Sequence, residues 1–391
     1  MKQQTRQTHL EFYREHQITP VHYDLSNMNA HFDRRQTLYT KLGLLPLTFN
    51  RAKVLEIAAG TGQNSLYIAQ LMPEKLILLE PNQIAVEHIY SSYAGFEKKH
   101  TKPQIVDLTL EEYTPHELFD IVLCENWLGT SPHETLLLNK LTNLIASQGL
   151  LVLTTVSPIG FVPNLLRRFL SIYLCKNSED FANNTKILTS AFSSHLKKLT
   201  AMTRNTTDWV QDNMLNPAYF GLCLSIPVVL DQLHDRFEVV GSSPAFAEDW
   251  RWFKGVHGTE KKINEHFLSA YWQKAHNFLD CREEPILGNA EYNRQLEMKA
   301  CELLQAIAEH EDAFIEQKKL AAYVKNVLSV LDEFITNVPT HFGAALKGLH
   351  EVRKYIAEPA MITDSAISNM QDFSSLFGRE TVYISLMRGQ E

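Results

Sequence analysis

Short apolar runs alternate with longer amphipathic stretches through the first part of this chain. The runs are Val54-Leu-Glu-Ile57, Leu76-Ile-Leu-Leu79, Gln104-Ile-Val106, Phe119-Asp-Ile-Val-Leu-Cys124 and Gly149-Leu-Leu-Val-Leu-Thr-Thr-Val156. Between them, apolar side chains recur at helical spacing: Leu66, Ile68, Ala69, Leu71 and Met72 first, then residues 84 to 93, then 136 to 145. Strands without polar alternation are buried on both faces. The pattern therefore predicts a parallel sheet with helices on either side, a doubly wound, Rossmann-like α/β fold.

Ahead of the first strand, residues 1–50 are polar and helical in character, broken at Pro20, Gly43 and Pro46, and they predict an N-terminal helical lid. After Pro158 the strand rhythm stops, to resume at Phe237-Glu-Val-Val-Gly241 as a sixth strand. Ile263, Phe267, Tyr271, Trp272, Ala275 and Leu279 then share one helical face. The absence of glycine and proline between Gly288 and Pro339 predicts one or two long helices, with a further helix over 344–356. Glu380-Thr-Val-Tyr-Ile-Ser-Leu-Met387 is again strand-like. It is either a loose C-terminal strand or a return to the main sheet beside the sixth strand, and the second reading is preferred. Residues 259–372 would then form a large helical insertion or cap before the last strand, in a core made of 51–258 plus 373–391.

Composition narrows the setting. A chain of 391 residues suits two domains or one with a large insertion, and 45% apolar with 21% charged residues is ordinary for a folded soluble protein. The five cysteines are odd in number, scattered, and form no CxxC clip, which points to a reducing compartment and away from a disulfide framework or structural zinc. A net charge of −8 predicts no general attraction to nucleic acid or anionic lipid. The polar start, MKQQTRQTHLEF, is not expected to be a signal peptide, and the longest apolar run, near 219–230, is too short to span a bilayer and carries Pro227. The expectation is a cytoplasmic globular protein.

The segment richest in chemistry is Val54-Leu-Glu-Ile-Ala-Ala-Gly-Thr-Gly-Gln-Asn-Ser65. A strand turning through small residues into a helix exposes backbone N–H groups and lets a ligand approach closely. Dinucleotide enzymes place G-x-G-x-x-G there, to seat a pyrophosphate on the helix N-terminus. Here Ser65 stands at the third glycine position, and Glu56 ends the strand. A carboxylate at that point repels pyrophosphate but suits a cationic group such as a methionine ammonium. Glu80, ending the second strand, can accept hydrogen bonds from two ribose hydroxyls. Acid, glycine loop and acid together fit an adenosyl-methionine ligand.

At these residues the sequence resembles the class I S-adenosylmethionine-dependent methyltransferases, whose first motif, E/D-x-G-x-G-x-G, reads Glu56-Ile-Ala-Ala-Gly-Thr-Gly62 here. Ala58 replaces the first glycine, which narrows the loop slightly. The resemblance implies S-adenosyl-L-methionine as cofactor, held by Glu56, Ala58, Gly60, Gly62, Asn64, Glu80, Pro81, Asp107, Leu108 and Glu125. Within that set Glu80 matches the ribose acid, while Asp107-Leu108 matches the adenine contact. Phe119 to Glu125 and Leu144 to Val152 match the fourth- and fifth-strand motifs, and the family's antiparallel last strand places 382–387 back in the sheet. A narrower likeness, to bacterial methyltransferases of uncertain substrate, rests on His31-Phe-Asp-Arg-Arg35, Ser157-Pro-Ile-Gly160 with Arg167-Arg168, and Gly241-Ser-Ser-Pro with Asp249-Trp-Arg-Trp252.

Methyl transfer needs positioning above all, and an oxygen or nitrogen acceptor can also need a general base. Glu125, Asn126, Trp127 and His133 follow the fourth strand, where the acceptor normally lies. His133 reads as a base or as a capping or surface histidine, Glu125 as a base or a cofactor contact, and Trp127 as a stacking or packing ring. His257 is a second base candidate. Trp250, Arg251 and Trp252 would form an acceptor-binding wall or anchor the helical insertion. Tyr23 and Arg35 would close from the lid. The absence of an NPPY or DPPY tetrapeptide after the fourth strand disfavours methylation of an exocyclic base amino group, and metal-ligand spacing, a P-loop and a GxSxG elbow are also missing. The expected partner is a small-molecule or saccharide-like acceptor, with homodimerisation through the insertion. The alternatives are a protein- or RNA-directed methyltransferase, a non-catalytic adenosyl-methionine-binding assembly protein and, disfavoured by Glu56 and Ser65, an NAD-type oxidoreductase.

Overall fold

The computed structural model describes residues 7–128, 132–219, 224–256 and 262–390, with the backbone alone for 132–135. Two compact units account for them, one drawn from 8–155, 224–271 and 381–391, the other from 156–223 and 272–380.

The first unit is built on seven strands: β1 (Lys53–Ile57), β2 (Lys75–Leu79), β3 (Gln104–Val106), β4 (Phe119–Cys124), β5 (Ile145–Val156), β6 (Phe237–Ser243) and β7 (Thr381–Arg388). Their order is β3-β2-β1-β4-β5-β7-β6. The first five run parallel to one another and β7 runs antiparallel to β6. The apolar runs predicted these strands, and the last one does return beside the sixth. β5 begins earlier than the apolar pattern indicates. Gln148 takes a left-handed φ of 60°, and the register against β4 shifts there, so polar residues interrupt the run without ending the strand.

Helices cover this sheet: α1 (His9–His16), α2 (Met28–Lys41), α3 (Pro46–Phe49), α4 (Ser65–Gln70), α5 (Gln83–Ala94) and α6 (Pro132–Thr142). Thr8 and Glu11 form a capping box that starts α1, and the Asn27 side chain caps α2 by accepting from Ala30 N. Tyr39, Leu42, Phe49, Val54, Leu66, Ile68, Leu78, Ile121 and Leu123 interlock as the core of this layer. The end of α2 is fixed against β6 at Gly241, where an added Cβ would stand 2.5 Å from the Lys41 carbonyl oxygen. The Ser385 hydroxyl donates to the Leu42 carbonyl at 2.6 Å and ties β7 to the same point. Register brings the ends of β1, β2 and β4 level, with Ile57 opposite both Leu79 and Cys124. The residues that follow those strands therefore gather along one edge.

The second unit is helical. Its long helices are Pro158–Leu174, Phe181–Leu196, Ala290–Ile315, Ala321–Asn337 and Gly343–Ala357. Residues 156–223 belong with it, although their position before the sixth strand suggested the sheet core. The reason is side-chain bonding that the strand rhythm does not reveal. Arg167 is fully buried and donates to the Phe373 and Leu376 carbonyls at 3.2 and 2.9 Å. Arg168 pairs with Glu311 at 2.9 Å and donates to the Asn216 carbonyl at 2.6 Å. Among the described residues, no helix is long and apolar enough to cross a membrane.

Candidate cofactor and active site

The turn from β1 into α4 has left-handed backbone at three places: Ala58 (φ 53°), Gly60 (φ 56°) and Gly62 (φ 70°). Glycine adopts that region without steric cost, whereas alanine is strained there. Gly62 also needs its missing side chain, because a Cβ would fall 2.9 Å from Ile89 Cγ1. Ser65 is buried at the start of α4 and its hydroxyl donates back to the Gly62 carbonyl at 2.9 Å, bracing the loop. Asn64 precedes α4 in helical conformation and makes no capping bond.

Glu80 is clamped in place. The Gly60 N–H donates to its Oε2 at 2.7 Å and the Asn82 N–H to its Oε1 at 2.9 Å. Each oxygen keeps a second lone pair for a ligand hydroxyl. Burial pushes this carboxyl up to about 7, against the pull of those two amides. Glu56 is buried at the end of β1, and its Oε2 has no hydrogen-bond partner among the described residues. Burial first, and the neighbouring Glu125 second, push it up to about 8. The charge of Arg35 and a hydrogen bond from the Ser65 side chain oppose that rise without cancelling it.

Segments from the N-terminus lie across this loop. Arg14 donates to the Pro81 carbonyl at 2.8 Å, Asn82 Nδ2 to the Ile18 carbonyl at 2.9 Å, and the Thr61 hydroxyl to the Val21 carbonyl at 3.0 Å. The Tyr23 N–H reaches Gln63 Oε1 at 2.7 Å, and His31 Nε2 lies 3.1 Å from the Gln63 carbonyl oxygen. Asp107 and Leu108 follow β3 as exposed residues, with Asp107 hydrogen-bonded by the Gln83 side chain.

Beyond β4, Glu125 is caught between two groups of α2. Arg35 Nη2 lies 2.7 Å from both of its oxygens, and the Tyr39 hydroxyl donates to Oε1 at 2.7 Å. Glu125 is thus the buried partner of the Arg35 guanidinium. Asn126 adopts φ 55°, its N–H donates to Thr154 Oγ1 at 2.7 Å, and its Nδ2 donates to the Tyr383 hydroxyl at 3.1 Å. Burial pushes the Tyr383 phenol well above its ordinary range, so it stays protonated. Trp127 is half-buried beside them.

Arg251 is chelated by Asp249, with Nε–Oδ1 at 2.9 Å and Nη2–Oδ2 at 2.5 Å, and Trp252 is largely exposed, its ring against Phe253. His133 stands in α6 with its side chain outside the described residues, and His257 lies outside them altogether. Tyr39 and Tyr383 were not singled out from sequence. The i, i+4 spacing of Arg35 and Tyr39 was a signal for the first; nothing in the sequence marks Tyr383. No cluster of three or more metal-ligating side chains forms among the described residues.

Residues 28–185, less than half of the chain, match a family model described as a methyltransferase domain. No curated protein sequence matches. Among solved structures, the CcbJ methyltransferase from Streptomyces caelestis is 14% identical over 33% of this chain and 50% of its own, with a TM-score of 0.28. The N-methyltransferase NodS from Bradyrhizobium japonicum, in complex with S-adenosyl-L-homocysteine, is 14% identical over 37% of this chain and 73% of its own, with a TM-score of 0.29. TehB from Haemophilus influenzae is 12% identical over 37% and 44%, at 0.26. This chain thus spans about half the length of CcbJ and rather less of TehB. Residues 28–185 thus match a methyltransferase domain, and the same stretch holds the first five strands of the sheet and the acid–loop–acid geometry.

Proposed function

We propose that this protein transfers the methyl group of S-adenosylmethionine to a small-molecule or saccharide-like acceptor, at oxygen or nitrogen. The observation that carries the reading is the Glu80 carboxylate, held by the Gly60 and Asn82 amides beside a left-handed glycine loop, with Glu56, whose Oε2 has no hydrogen-bond partner among the described residues, at the neighbouring strand end. Glu80 supplies acceptors for two ribose hydroxyls, and Glu56, raised to about 8 in the unliganded chain, gives its proton to solvent and supplies a negative charge for the ammonium. An acceptor lone pair attacks the methyl carbon while the carbon–sulfur bond breaks, its electron pair leaving with sulfur. S-adenosylhomocysteine departs, and the acceptor's proton passes to a base or to water.

Within this reading, residues 1–50 are the lid, 259–372 a helical insertion that offers a face for homodimerisation, and His133 and His257 the base candidates. Trp127, Arg251 and Trp252 are assigned to the acceptor, Asp107 and Leu108 to the adenine. Free Cys124, Cys175, Cys281 and Cys301 support a cytoplasmic location. Parallel calorimetric titration with S-adenosylmethionine, S-adenosylhomocysteine and NAD tests the cofactor assignment. The expected result is binding of both adenosyl ligands without NAD; binding of NAD alone would overturn it.

A further inference from the structure

The buried polar cluster after β4 contains two carboxylates and one guanidinium. Arg35 Nη2 is shared between both oxygens of Glu125 at 2.7 Å, and the Tyr39 hydroxyl, 2.5 Å from the same nitrogen, completes the clamp. Both side chains of the ion pair are almost wholly inaccessible. Glu56, close enough to feel the charges of Glu125 and Arg35, keeps Oε2 without a hydrogen-bond partner. Arg35 is thus the cation that could neutralise Glu56, and Glu125 holds it.

We propose that Glu125 is a specificity-determining positioning residue: by engaging Arg35 through both oxygens it keeps the guanidinium off Glu56, leaving Glu56 free for the ammonium of an amino-acid-bearing adenosyl ligand. The inference rests on the adenosyl-methionine reading above and adds how the site chooses its ligand. A buried guanidinium seeks a carboxylate partner, because an unpaired charge in the interior is costly. Once Glu125 loses its charge, Arg35 turns to Glu56, which the register sets opposite Leu123, two residues before Glu125, and the Arg35–Glu56 pair competes with the ligand. An adenosyl ligand without the amino-acid end makes no use of Glu56 and is indifferent to the exchange.

The test is calorimetric titration of the full chain with S-adenosylhomocysteine and with 5′-methylthioadenosine, which lacks the amino-acid end. Glu125→Gln is expected to weaken S-adenosylhomocysteine by at least about tenfold, the worth of a charge-assisted bond, with 5′-methylthioadenosine changed less than about twofold. Adding Arg35→Met in the same chain removes the competitor and is expected to restore S-adenosylhomocysteine binding to within about threefold of the wild type. A merely structural role for Glu125 would weaken both ligands alike and would not be rescued by a second buried substitution. Equal losses, no rescue, or tighter S-adenosylhomocysteine binding in Glu125→Gln (Arg35 released to the ligand carboxylate) would each overturn the proposal while leaving the cofactor reading intact. If the wild type binds neither adenosyl ligand, the cofactor reading fails and this inference with it. Should Glu125→Gln lose its native circular dichroism, R35M/E125Q carries the test alone, and a lost preference for S-adenosylhomocysteine in it overturns the proposal.

Discussion

The backbone amide of Gly60 and the carboxylate of Glu80 meet at 2.7 Å, so the cofactor loop and the end of β2 are joined by a charge-assisted bond between residues from different strands. The loop conformation and the orientation of the acid are therefore one structural feature. Gly60 can point its N–H at Glu80 because its backbone is left-handed.

Glu80→Ala is expected to remove both the ribose contacts and this internal tie. The loss in S-adenosylmethionine affinity should be on the order of 2–4 kcal/mol, from two charge-assisted hydrogen bonds. Calorimetry on a variant with native circular dichroism measures it; unchanged affinity would remove Glu80 from the ribose role.

Opposite outcomes are expected at two neighbouring loop positions. Ala58→Gly relieves a left-handed alanine and should stabilise the protein by up to about 1 kcal/mol. Gly62→Ala adds a Cβ 2.9 Å from Ile89 Cγ1 on left-handed backbone, and should destabilise by about 1–3 kcal/mol. Urea unfolding of the two variants beside the wild type checks both signs.

Stability should also depend on pH through Glu56 and Glu80. Burial raises them to about 8 and about 7 from 4.5, so the folded chain keeps protons that the unfolded chain has released. Their contribution is full below about pH 4.5 and is lost as pH climbs through 7 to 8. The unliganded wild type should therefore lose melting temperature between about pH 5 and 8 more steeply than Glu56→Gln, whose amide does not titrate. Buried histidines such as His195, lowered to about 3 by burial, act with the opposite sign but equally in both proteins. Parallel melting curves would sink the assignment.

In the helical unit, Glu311→Gln should strip Arg168 of the carboxylate that pairs with it, while the neutral carbonyls of Asn213 and Asn216 stay at 3.4 and 2.6 Å. Breaking a buried ion pair from one side costs about 3–5 kcal/mol. Replacing both partners, as Arg168→Met with Glu311→Leu, should recover most of that loss. Chemical denaturation of the single and double variants measures the difference; a harmless single variant would show the pair to be dispensable.

The sequence by itself determined the strands, the parallel character of the first five and the cofactor loop. Each of these is local: a run of apolar residues has to be buried on both faces, and Glu56, Gly60, Gly62 and Glu80 sit at strand ends that their neighbours already define. The return of β7 was legible too, because its strand character survives after the long helical stretch. Tertiary structure alone decided the rest. Glu125 reads from sequence as a base or a cofactor contact; only the packing of α2 against the sheet delivers Arg35 and Tyr39 to it from 90 and 86 positions away. Tyr383 reaches Asn126 across 257 positions because β7 inserts between β5 and β6. The grouping of 156–223 with the helical unit depends on Arg167 and Arg168, whose partners lie in helices and turns far along the chain. Local burial writes itself into hydrophobic periodicity. A charge leaves no such periodic trace, and its partner is known only once the chain has folded.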